Sequence, residues 1–147
     1  MLKNSISWRE SQGCIMSDYI AVIRVRGGTK VNRGIELALT SLSLKYKNNC
    51  VILVDTPSVS GLIRKVKDYV TFGPIDAETL KLLAEKRGEV GIGEKLIDAG
   101  GKKVKPFFRL SPPRKGFGRK GIKVDFAIGG ALGDRKEKIN ALLQRMI

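Results

Sequence analysis

The chain has 147 residues, with 28 Lys and Arg against 14 Asp and Glu, no His, and a formal charge of +14. Its length suits one domain of ordinary size, and 42% hydrophobic with 29% charged residues is the composition of a folding chain. Lack of histidine removes the commonest general base, the usual nucleophilic triads and imidazole zinc sites, while the uncompensated positive charge selects a polyanionic partner, nucleic acid or an anionic membrane surface.

Residues 1–15 (MLKNSISWRESQGCI) have no apolar signal-peptide run and no clear period, and Met16 follows them. They are expected to form a dispensable leader, either disordered or ahead of the true start. Cys14 and Cys50 lie far apart and make neither a metal-binding pair nor a staple framework, which fits a reducing cytoplasm. The longest apolar runs, 19–23 and 50–54, are five residues each, whereas a membrane span needs about twenty.

Residues 19–25 (YIAVIRV) read as a strand that ends in Arg24 and Arg26. Asn32 then caps a helix whose stripe is Ile35, Ala38, Leu39 and Leu42. Asn48 and Asn49 turn the chain into 50–54 (CVILV), a continuous apolar run of the kind buried on both faces of a sheet. The turn at 55–58 opens a second helix with Val59, Leu62, Ile63, Val66 and Val70 at helical spacing and Arg64, Lys65 and Lys67 on its other faces. Residues 69–72 (YVTF) give a third strand, closed by Gly73 and Pro74. These elements make a β-α-β-α-β core over residues 16–75.

Residues 76–147 extend that core. Asp76 is expected to cap a helix that buries Leu80, Leu83 and Ala84, and a short amphipathic segment follows around Leu96 and Ile97. Between residues 102 and 123 nine bases (Lys102, Lys103, Lys105, Arg109, Arg114, Lys115, Arg119, Lys120 and Lys123) meet no acid. Pro106, Pro112, Pro113, Gly116, Gly118 and Gly121 keep most of that tract from being helix. Mobile bases can follow an irregular phosphate path, and an interleaved ring such as Phe117 can stack on an unpaired base. The tract is therefore expected to order only on its partner, with Phe107 and Phe108 anchored in the core.

Gly116, Gly118 and Gly121 spell G-x-G-x-x-G, but prolines precede them and 122–128 (IKVDFAI) reads as a strand, so the dinucleotide fingerprint lacks its context. No catalytic constellation, cofactor motif or metal-ligand spacing appears, and no small-molecule substrate is implied. The chain closes in a helix with a stripe of Ile139, Leu142, Leu143 and Met146, opened by capping-box spacing at Asp134 and Glu137.

The blocks VIRVRG, KVNRGIELALTSLSL and VILVDTPSVSGLIRKVKDYVTFG, in that order, closely resemble the universal large-subunit ribosomal protein family numbered thirty in bacteria and seven in eukaryotes. The continuation, with FFRLSPPRKGFGRKG and GDRKEKINALLQRMI, resembles the long archaeal form. That resemblance implies an α+β, somewhat ferredoxin-like sheet with helices packed on it. It also implies binding to large-subunit ribosomal RNA near the 5S RNA, neighbouring ribosomal proteins, a cytoplasmic ribosomal location and no enzymatic activity.

From the residues themselves, the RNA-binding set is Arg24, Arg26, Lys30, Arg33, Arg64, Lys65, Lys67, Arg109, Arg114, Lys115, Phe117, Arg119, Lys120 and Lys123, acting by phosphate neutralisation and shape recognition. The alternative is a free architectural nucleic-acid-binding module, which would need a recognition helix with base-reading side chains.

Overall fold

The computed structural model describes residues 19–91, 97–99 and 102–147. The leader over residues 1–15 and Leu96 lie outside them. The β-α-β-α-β frame is present as β1 (Tyr19–Arg24), α1 (Arg33–Ser41), β2 (Asn49–Val54), α2 (Pro57–Val66) and β3 (Val70–Pro74). The extension adds α3 (Ala77–Arg87), the short strands β4 (Ile97–Ala99), β5 (Lys102–Val104), β6 (Phe107–Arg109) and β7 (Gly133–Asp134), and α4 (Lys138–Met146). The main sheet has the order β6-β2-β1-β3-β7, antiparallel except for the parallel β3–β7 pair, and β4 pairs with β5 apart from it. The class is α+β.

The two-residue period of each strand sorts its side chains between two helical layers. Ile20, Val22, Val51, Leu53, Val70 and Phe72 pack against Ala38 and Leu39 of α1 and Ile63 and Val66 of α2. Ala21, Ile23, Cys50 and Ile52 meet Leu80, Leu83 and Ala84 of α3 and Ile139, Leu142, Leu143 and Met146 of α4. The core segment alone covers one face of its sheet. Its extension covers the other and adds a strand at each edge. Phe108 on β6 is fully buried on the α3–α4 side, while Phe107 packs on the α1–α2 side. Burial pushes the Cys50 thiol up to about 12, so it behaves as a small apolar residue rather than a nucleophile.

Local rules explain most boundaries. Asn32 Oδ1 accepts from Gly34 N at 3.0 Å, and Thr56 Oγ1 accepts from Val59 N at 3.3 Å ahead of Pro57 in the first turn of α2. Asp76 holds the N-cap position of α3 without a side-chain cap bond; its own N–H donates to Asn140 Oδ1 on α4 at 3.1 Å, tying the two helices of that layer. The capping box at Asp134 and Glu137 is not formed. Asp134 Oδ1 instead accepts from Lys136 N at 2.8 Å, and α4 starts later without a side-chain cap bond. A Cβ at Gly73 would lie 2.4 Å from the Lys136 carbonyl, so glycine lets the entry to α4 pass against β3.

The segment 122–128 is not a strand. Its backbone folds back locally, Phe126 N donating to Leu132 O and Ala131 N to Val124 O, both at 2.8 Å, and Phe126–Ile128 form a single 3₁₀ turn. Ile122 and Ile128 are exposed.

Candidate nucleic-acid interface

β1 ends where β2 and β3 begin, and this end of the sheet gathers most of the basic loops. Val25 N and Arg26 N donate to Tyr69 O ahead of β3, Asn48 N donates to Arg24 O, and Leu110 N after β6 donates to Asn48 O. Arg26 lies over the Tyr69 ring, 4.9 Å from its centroid, and donates to the Asp68 carbonyl. Asn49 pairs with Arg109, which places Arg109 at the same end. Phe117 packs with Val25, Ala131 and Leu132 and so draws the basic tract there too.

Two arginines are structural. Arg24 is 5% exposed; its Nη1 donates to Leu44 O at 2.7 Å and Lys45 O at 2.6 Å, and its Nε to Arg26 O at 2.9 Å. Burial lowers its pKa, opposed by Glu36 and Tyr69. Arg24 therefore leaves the predicted binding set, because three backbone carbonyls occupy its guanidinium. Arg135 is 4% exposed and donates to Thr71 Oγ1, Phe117 O and Ala131 O, with the Phe126 ring 4.7 Å away. Burial, then the charge of Arg145, brings its pKa down to about 10.

Within the protein the backbone of the tract finds partners of its own. Arg114 N donates to Arg145 O, Arg145 Nη1 reaches Arg114 O at 3.5 Å and Gly116 O at 3.3 Å, and Arg135 Nη2 holds Phe117 O at 2.9 Å. Lys120 N donates to Gly129 O. A Cβ at Gly118 would stand 2.6 Å from Gly130 O, and one at Gly130 only 2.0 Å from Val124 O, so these glycines serve a crossing of two chain segments. The prolines and glycines exclude a ladder, but arginine side chains supply the missing donors.

Phe117 is half-buried against the core rather than presented outward. The cationic ends are free to solvent: Lys30, Arg33, Arg64, Lys65, Lys67, Arg109, Arg114, Lys115, Arg119, Lys120 and Lys123 are all exposed, and Arg26 is intermediate. Lys65 of α2 reaches back to the start of α1, its Nζ 3.8 Å from where a Cβ on Gly34 would lie, beside Arg33. Among the described residues, the one ion pair formed by these bases is that of Arg109 with Glu89 at 3.8 Å, and Glu89 also meets Lys105 at 3.2 Å. An array of exposed cations on a fixed backbone, all but Arg109 without an ion-pair partner among the described residues, is suited to converging phosphates. Lys45 and Lys47, exposed in the turn held by Arg24, belong to the same end of the sheet and were not in the predicted set. Two lysines around an aromatic in SLKYKNN were the available signal.

The family description of ribosomal protein L30p/L7e matches residues 20–70, which span β1 to the first residue of β3. The chain is also 44% identical to the large ribosomal subunit protein uL30 of Methanococcus maripaludis, covering 86% of this chain and 98% of that protein. The protein of the same name from Nanoarchaeum equitans is 43% identical over 86% of this chain and 97% of its own length, and that from Methanopyrus kandleri 39% over 84% and 100%. These relatives share the extension as well as the core.

Proposed function

The chain belongs to the ribosomal protein L30p/L7e family in its long, archaeal form, and we propose from that premise that it binds and consolidates large-subunit ribosomal RNA as a structural constituent of the subunit. Its role is architectural rather than catalytic. The observation that carries the RNA reading is the array of exposed bases on a backbone already shaped by Arg135 and Arg145. Phosphates that converge in folded RNA repel one another; lysines and arginines placed between them replace diffuse counterions and stabilise the packing. A backbone held in place favours recognition of RNA shape over sequence, because the chain that carries these side chains need not itself be ordered on binding.

The contact surface is formed by Arg26, Lys30, Arg33, Arg64, Lys65, Lys67, Arg109, Arg114, Lys115, Arg119, Lys120 and Lys123, near the 5S RNA, with neighbouring ribosomal proteins at its margins. Density for the native large subunit tests this directly. The guanidinium and ammonium groups of residues 114–123 are expected within hydrogen-bond reach of phosphate oxygens. A tract that faces solvent in the assembled particle would refute the assignment.

A further inference from the structure

The turn between α1 and β2 carries an aromatic ring that the core does not use. Leu44 is fully buried and Asn49 is buried at the start of β2, so the residues between them must bulge outward. Tyr46 at the top of the bulge is 69% exposed, and Lys45 and Lys47 beside it are exposed as well. The backbone beneath the ring is nevertheless fixed. Arg24 Nη1 holds the carbonyls of Leu44 and Lys45, Asn48 N donates to Arg24 O at 2.7 Å, and Asn49 N donates to Tyr46 O at 3.4 Å. Asn48 O in turn receives Leu110 N at 3.2 Å, which places the turn beside Arg109.

Ser43, at φ 60°, is the left-handed residue that closes α1, with Leu44 N donating to Leu39 O at 2.8 Å, and Asn48, at φ 64°, ends the bulge in a conformation that asparagine tolerates. What this loop presents is a planar ring between two cations. Aromatic side chains flanked by bases are how proteins hold unpaired nucleotides: the ring stacks on a base while the cations meet the adjoining phosphates.

We infer that residues 45–47 form a further RNA contact in which Tyr46 stacks on an unpaired base of the large-subunit ribosomal RNA and Lys45 and Lys47 neutralise the phosphates next to it. The inference rests on the ribosomal RNA binding proposed above. Stacking releases no counterion, whereas each lysine–phosphate contact does, so the two contributions separate in a salt titration.

The full-length protein and its Tyr46→Ala, Tyr46→Phe and Lys45→Ala/Lys47→Ala variants would be titrated with archaeal large-subunit ribosomal RNA at several salt concentrations. Tyr46→Ala is expected to weaken binding roughly five- to a hundredfold with an unchanged salt slope. Tyr46→Phe should bind within about twofold of wild type, because stacking needs the ring rather than the hydroxyl. The lysine pair should flatten the slope by about one unit for each phosphate no longer neutralised. Thermal midpoints should not move for any variant, since all three side chains are exposed. Wild-type affinity in Tyr46→Ala, or an equal loss in Tyr46→Phe, overturns the stacking contact while leaving the wider RNA reading intact. Failure of the wild-type protein to bind with salt dependence overturns both.

Discussion

Replacing Arg114, Lys115, Arg119 and Lys120 together by alanine is expected to leave the protein folded and to lower its affinity for large-subunit ribosomal RNA by up to about a thousandfold at 0.1 M salt. The magnitude follows from counterion release: each phosphate contact contributes about 0.7 to 0.9 to the log–log salt slope, so four contacts amount to roughly three decades. Stability should change little because all four side chains are exposed and the tract is held through its backbone, by Arg145 at Arg114 and Gly116 and by Arg135 at Phe117. Exposed substitutions of this kind usually cost within about 0.5 kcal/mol each. Binding curves and thermal melts of the same preparation check both halves. An unfolded variant would mean that these four residues are part of the core, and a folded one with the wild-type salt slope would mean that the binding surface lies elsewhere.

The largest effect on stability is expected at Phe108. Its ring is fully buried, it pairs with Cys50 across β2–β6, and it packs in the cluster that contains Ile23, Ile52, Leu83, Leu142 and Met146. Phe108→Ala should cost about 3–5 kcal/mol, a large part of the roughly 5–15 kcal/mol that holds a domain of this size. Because the extension closes the second face of the sheet, urea unfolding of both wild type and variant should remain one transition, with the variant's midpoint shifted down. A loss below about 1 kcal/mol, or two separate transitions, would show that the extension is an appendage rather than half of the core.

The β-α-β-α-β frame was legible because each of its elements obeys one rule at a time. YIAVIRV and CVILV are short and β-branched, and the helices after them carry an apolar stripe, with the expected cap at Asn32 formed and Thr56 supplying the cap within the turn at 55–58. The extension was harder because its order comes from long-range partners. IKVDFAI has the composition of a strand, yet its donors and acceptors are taken by residues only a few positions away, and no neighbouring strand receives it. Composition likewise cannot separate an arginine that meets phosphate from one that bonds carbonyls. Arg24 and Arg119 look alike in the sequence, and only the fold shows that the first is enclosed by the turn at residues 44–45. The dense Gly and Pro content of the tract correctly excluded helix, but it concealed the donors contributed by Arg135 and Arg145 from 18 to 31 residues further along the chain.

If exposed cations on a preshaped backbone bind ribosomal RNA by replacing its counterions, the affinity of the intact protein for folded large-subunit ribosomal RNA must depend steeply on salt. Measured from about 50 to 300 mM monovalent salt, the logarithm of the association constant should fall linearly with the logarithm of salt, with a slope of about −3 or steeper. A slope near zero over that range would mean that these cations do not carry the binding.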